Sequence, residues 1–250
     1  MNLRKPVVEY HLRSFLKAML WFLGAYIALY LLAVSASFGT SGTTFISGIE
    51  ITFGLFFMAA WMISFKEENH FMLQLGVSRK AAFIGLLLAT LIAATAAALI
   101  SVAVDAAARG VAALPGMRVQ MDSVFLQIFA PWSETVGTVP ALLTTVLWIW
   151  TYVFAMSGLG FFLANLFYRL NKLGKILVPA SLALILLFSP VLNRLMDGHL
   201  FNTLGNWFIW IFRGSGEVAT PMNSILVFFL SALALFTVCW LFLRRFQVKK

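Results

Sequence analysis

The sequence predicts an all-α integral membrane protein with six transmembrane helices, and three observations carry that prediction. The 250-residue chain is 62% hydrophobic and only 11% charged, with a mean hydropathy of +0.94. Soluble domains average about 45–50% apolar and about 25% charged, so an ordinary water-soluble globule and a disordered chain are both excluded. Six stretches match the roughly 20 apolar residues that a helix needs to cross a bilayer core about 30 Å thick. Finally, fourteen of the 18 Lys and Arg residues fall on the side of the two termini when those stretches are threaded back and forth, and four (Arg109, Arg118, Arg194, Arg213) fall on the other. That bias follows the positive-inside rule and puts both termini in the cytoplasm, as an even number of spans also requires.

The first span, Phe15–Ser37, follows a segment from Pro6 to Lys17 that mixes Val7, Val8, Tyr10 and Leu12 with Glu9, His11, Arg13 and Lys17. This pattern suits either a short helix lying in the membrane interface or an ordinary basic flank. The apolar run exceeds the roughly 7–15 residues of a signal-peptide core, so it is read as a retained span. A tiny uncharged loop, Phe38–Thr44, makes a hairpin with the second span, Phe45–Phe65. The third span, Ala81–Val104, is rich in alanine, which lets helices approach closely. An outer connection from Asp105 to Val139 carries Pro115, Gly116, Pro131 and Trp132, and part of it is expected on the membrane surface. The fourth and fifth spans, Pro140–Phe167 and Leu173–Leu192, precede a second long outer stretch, Asn193–Pro221. Its Trp-rich core, Leu200–Phe212, is too short to span and reads as a re-entrant or interfacial helix pair. The sixth span is Met222–Leu243. Together these make a single transmembrane domain over residues 1–250.

One cytoplasmic loop stands apart. From Lys66 to Lys80 it reads Lys-Glu-Glu-Asn-His-Phe-Met-Leu-Gln-Leu-Gly-Val-Ser-Arg-Lys. Glu67 and Glu68 suit the start of a helix, where negative charge meets the positive end of the macrodipole. Phe71, Met72 and Leu75 form an apolar stripe, and Gly76 is a natural C-terminal stop. An apolar face on a cytoplasmic helix needs a cover, either lipid headgroups or the groove of a partner protein.

In this loop the chain resembles the membrane subunit of type-2 ATP-binding-cassette exporters. The likeness rests on the acidic pair, the short amphipathic helix, the run Leu75-Gly76-Val77-Ser78-Arg79-Lys80 and the small-residue-rich third span, with the six-span plan around them. In its small size and short loops the chain is most similar to bacterial peptide-toxin and bacteriocin-immunity exporter permeases. The resemblance implies an interfacial N-terminal helix, a coupling helix over about 67–76 and a re-entrant outer segment between spans five and six. It further implies that Glu67, Glu68, Asn69, His70, Phe71, Met72, Gln74, Leu75 and Gly76 dock two cytoplasmic ATPase subunits. A second permease copy or a sister permease would complete the complex, in the bacterial cytoplasmic membrane. ATP and Mg would sit on the partner ATPase, with no cofactor on this chain. The sequence itself contains no Gly-x-x-x-x-Gly-Lys-[Ser/Thr] phosphate loop, so an engine of that kind must come from another chain.

Other chemistry is thin. A serine hydrolase within the membrane would need a base beside Ser157, but the three histidines, His11, His70 and His199, all fall outside the spans. Ser157, Gly158, Gly160 and Ala164 read instead as a close-packing face. One cysteine, Cys239, rules out an intrachain disulfide and a cysteine-rich zinc site, and no His/Cys/Asp/Glu cluster has metal-ligand spacing. The net charge of +9 fits the anionic inner face of a bilayer, so no nucleic-acid partner is expected.

Within the spans, Glu50 is the exceptional residue, since ionisable groups in lipid are functional candidates by default. It faces the inter-subunit cavity, where it could greet a cationic part of a cargo, or pairs with an outer Arg, or reaches the outer interface. With Phe53, Phe57 and Phe161 it defines a possible cargo path for amphipathic or hydrophobic molecules, peptides foremost. Asp105 and Arg109, four apart, are expected to pair. Two other functions remain open on the sequence: an ion-coupled secondary transporter, and a non-transporting membrane assembly or sensor protein.

Overall fold

The computed structural model describes residues 4–37, 44–46, 48–112, 119–121, 123–195, 199–213 and 218–244. Among them the chain is helical apart from two three-residue strands. In order the elements are α1 (Arg4–Ser37), β1 (Thr44–Ile46), α2 (Ile49–Gln74), α3 (Arg79–Ala112), β2 (Val119–Met121), α4 (Val124–Val136), α5 (Thr138–Arg169), α6 (Lys172–Leu195), α7 (His199–Arg213) and α8 (Pro221–Arg244). Among the described residues, four helical segments are long and apolar enough to cross a membrane: Pro6–Leu32, Arg79–Ala112, Thr138–Arg169 and Pro221–Arg244. Ile49–Ser64 of α2 is a shorter apolar segment. The stretch anticipated as the fifth span coincides with α6, several of whose side chains lie outside the described set. The chain is thus an all-helical bundle of membrane-protein type.

Helix ends follow local chemistry. Ser78, Ser123 and Asn171 each place a side-chain oxygen on the N–H three residues ahead (Ala81 at 3.3 Å, Leu126 at 3.1 Å, Gly174 at 2.8 Å), capping α3, α4 and α6. Pro221 opens α8, where its missing N–H costs nothing. At the end of α2, Gly76 takes φ +73°, and Val77 N–H donates to the Met72 carbonyl at 3.1 Å. That is a Schellman closure, completed by the apolar contact of Val77 with Met72.

Two expected boundaries dissolve. The N-terminal segment is not a separate interfacial helix: α1 is unbroken over 34 residues, about 50 Å of helix. Likewise α2 runs without a break from Ile49 to Gln74, so no new helix starts at Glu67. The reason is the same in both places, since neither junction holds a Gly or Pro to end the helix. The outer stretch after α6 holds one described helix, α7, rather than a re-entrant pair, and it seats Phe212 on Phe228 of α8 with ring centroids 6.3 Å apart. The tight loop expected over Phe38–Thr44 lies, apart from Thr44, outside the described residues.

α5 is the central helix, packed most extensively on α2 and α8 and also on α3, while α1 lies along α3. Small residues set these approaches. A Cβ on Gly160 would collide with the backbone of Met58 in α2, and one on Gly54 would strike the Tyr152 ring. Gly158 faces Phe236 of α8, and Ala89, Ala93, Ala94, Ala97 and Ala98 are buried along α3. The small-residue faces read from the sequence therefore pack helix against helix. Two buried hydrogen-bonding side chains lock the α5–α8 seam, with Trp148 Nε1 donating to Ser224 Oγ at 3.0 Å. Among the described residues α6 packs mainly on α7, and its Leu173, Ile176, Leu177, Leu184, Leu187 and Phe188 side chains are exposed.

The bundle has two chemically distinct ends. At one, Arg79 donates to the Arg244 carbonyl at 2.8 Å, and Arg169 donates to the Phe242 carbonyl. Both arginines thereby satisfy carbonyls that the last turn of α8 leaves free. At the other end, about 45 Å along α3 by its rise per residue, lie Asp105, Arg109 and Glu50.

Candidate functional site

The segment predicted to dock a partner forms the last two turns of α2 and the turn at Gly76. Its side chains divide. Met72 is buried against Val7 of α1, Val77 and Ala82. Phe71 stacks on Tyr10 of α1, ring centroids 5.2 Å apart, and is partly exposed. Gln74, Leu75 and Gly76 are exposed. Glu67, Glu68, Asn69 and His70 lie on the helix, with side chains outside the described residues. The apolar stripe read from the sequence is thus half consumed within the chain: α1 covers Met72, and the free surface is Leu75 with the edge of Phe71. The sequence could not anticipate this, because the covering residue, Val7, is far from Met72 in the chain.

At the opposite end Glu50 occupies the first turn of α2. The parallel pairing of β1 with β2, Thr44↔Val119 to Ile46↔Met121, sets the stage. β1 leads through Gly48 (φ +94°) into α2, and β2 leads through Ser123 into α4. Because the strands are parallel and in register, two helix N-termini emerge side by side. Both present unpaired N–H groups and the positive ends of their dipoles toward one carboxylate. The N–H groups of Glu50 and Val124 approach that carboxylate without reaching hydrogen-bond geometry.

Glu50 is 1% exposed, and neither of its oxygens has a hydrogen-bond partner. Ser101 Oγ, also buried, is likewise without one. Both line a cavity of about 370 Å³ between α2, α3, α4 and α5, with Asp105, Arg109, Ser123 and Glu134 among its walls. Asp105 and Arg109 pair at 2.9 Å, as their spacing predicted. Tyr26 of α1 lies within electrostatic reach of Glu50 and Asp105. Glu50 is thus enclosed between helices of this one chain and does not reach a surface, while no second copy is present against which an inter-subunit placement could be read.

The remaining cargo-path residues do not line this cavity. Phe53, Phe57 and Phe161 are fully buried in an aromatic core with Phe15, Phe22 and Trp61. Ser101, Ser123 and Glu134 were not singled out from the sequence. Ser101 was legible as the first member of a polar stripe, with Asp105 and Arg109 at i+4 and i+8 closing an alanine-rich helix.

Among the described residues no three His, Cys, Asp or Glu side chains converge as a metal-ligand set. Comparison of the chain with protein-family models, with curated proteins and with solved structures finds no match.

Proposed function

We propose that this chain is the membrane-spanning permease subunit of an ATP-binding-cassette exporter, moving amphipathic or hydrophobic cargo, peptides foremost, with energy from separate ATPase subunits. One observation carries the reading. The segment Glu67–Gln74 continues a core helix without a hinge and is turned back sharply at Gly76 into α3. A push on Leu75 would therefore reach the bundle as a rigid displacement of α2 and α3, whose far ends hold Glu50, Asp105 and Arg109. A flexible loop would absorb such a push. In this reading six spans cross the bacterial cytoplasmic membrane with the arginine-rich end of α3, α5 and α8 inside. The exposed apolar faces of α1 and α6 meet lipid and a second permease copy. ATP binding and hydrolysis in the partner would bias a two-state bundle.

The test is affinity capture from gently solubilised native membranes, comparing the native chain with a Gln74→Lys/Leu75→Glu variant. Both substitutions are on exposed positions, which spares the buried Met72. Co-elution of a phosphate-loop ATPase with the native chain, and its loss from the folded variant, supports docking there. Absence of any ATPase under conditions that keep other complexes intact overturns it. The enclosed Glu50 carboxylate favours one second reading, ion-coupled secondary transport, which flux independent of ATP would distinguish.

A further inference from the structure

We infer that the cavity beneath Glu50 is a binding site for a small organic cation, an ammonium or guanidinium compound held by the Glu50 carboxylate. The inference goes beyond the transport reading and stands whether or not an ATPase docks on the chain.

The cavity is a built site. Glu50 is 99% enclosed, and both carboxylate oxygens are left without a hydrogen-bond partner. A carboxyl group removed from water without partners can carry its charge only where a cation or donors stand beside it, and natural proteins pair such groups. The two converging helix N-termini supply part of the compensation through their dipoles. The rest is missing on the cavity side, where Ser101 Oγ is also unpartnered. The walls add two more carboxylates, Asp105 and Glu134, against one guanidinium, Arg109, and Arg109 is already engaged with Asp105 at 2.9 Å. The formal balance is therefore acidic, and a cation entering would meet an attractive field focused by low-dielectric walls.

Size and ligand type narrow the occupant. A volume of about 370 Å³ lies in the range of small-molecule sites and far exceeds that of a bare metal ion. No metal-ligand set converges among the described residues. The hydroxyls of Ser101, Ser123 and Thr145 can accept hydrogen bonds from an ammonium or guanidinium, and Leu126 and Ile149 offer apolar contact to its alkyl part.

The experiment titrates agmatine, and N-butylurea as its uncharged counterpart, into the full chain in nanodiscs at fixed ionic strength. Isothermal calorimetry and the thermal midpoint are read together. The expected result is saturable agmatine binding that raises the midpoint, with N-butylurea inert. Glu50→Gln should weaken agmatine at least about tenfold, in line with loss of a charge-assisted contact. A second variant, Leu142→Trp, fills the cavity from an exposed position on its rim and leaves Glu50 in place. It should abolish binding, and it decides the matter if Glu50→Gln fails to fold. No saturable binding by the native chain, equal binding of N-butylurea, or unchanged affinity in a folded variant would each overturn the inference. Failure here leaves ATPase capture unaffected, and failure of ATPase capture leaves this binding unaffected.

Discussion

The N–H of Val77 donates to the carbonyl of Met72 at 3.1 Å, and the two side chains pack together under Val7 of α1. This closure turns the long helix α2 back into α3 within four residues, Leu75 to Ser78. It makes the end of α2 a stiff corner, braced by the N-terminus of the chain.

The corner depends on Gly76, whose φ of +73° is unfavourable for residues with a Cβ. A Cβ there would meet no atom within 4 Å, so the penalty of substitution is purely conformational. Gly76→Ala should destabilise the chain by about 1 kcal/mol, and Gly76→Asn by less, since Asn tolerates the left-handed region. Equilibrium unfolding in mixed micelles checks the order, Gly76 native, then Asn, then Ala.

The α2–α5 approach is set by Gly160, which lies against the Met58 backbone. Backbone cannot step aside as a flexible side chain can. Gly160→Val should therefore cost about 1–3 kcal/mol or more through overpacking. Gly24→Ala on exposed α1, where nothing lies within 4 Å, should be neutral or slightly stabilising. Paired thermal melts of the two variants measure the contrast, and equal effects would mean that α2 and α5 do not meet at this point.

Much of this fold was legible because it rests on local chemistry. The apolar runs gave the helices, Gly76 gave the stop at the end of α2, and the spacing of Asp105 and Arg109 gave their ion pair. What was hidden depended on contacts distant in sequence. The burial of Met72 is decided by Val7, and the enclosure of Glu50 by the pairing of β1 with β2, two strands too short and too far apart to announce themselves. The continuity of α1 and α2 was missed for another reason. Charges at Lys17 and Lys66 mark where an apolar run ends, and that is not where the helix ends. Phe53, Phe57 and Phe161 could not be assigned to core, lipid or cavity by residue type, and packing put them in the core.

The arginine end offers a separate test. Arg169 donates to the Phe242 carbonyl with its guanidinium 4.6 Å from the centroid of the Phe242 ring, and Arg79 donates to the Arg244 carbonyl. Arg169→Ala should fray the last turn of α8. A loss of about 1 kcal/mol corresponds to roughly fivefold faster amide exchange there. Arg169→Lys should recover only part of the protection, because an ammonium cannot both stack and donate in the same plane. Hydrogen exchange resolved to the terminal peptide of α8 reads both effects, with the α3 mid-section as the unperturbed reference.

The most direct measurement places a photo-activatable phenylalanine at Leu75 and, as a control, at Leu187 on the exposed face of α6, in cells under illumination. The docking proposal predicts that Leu75 cross-links to a soluble ATPase bearing a phosphate loop and that Leu187 does not. Cross-linking of Leu75 to lipid alone, or to no ATPase while Leu187 reacts normally with its neighbours, would contradict it.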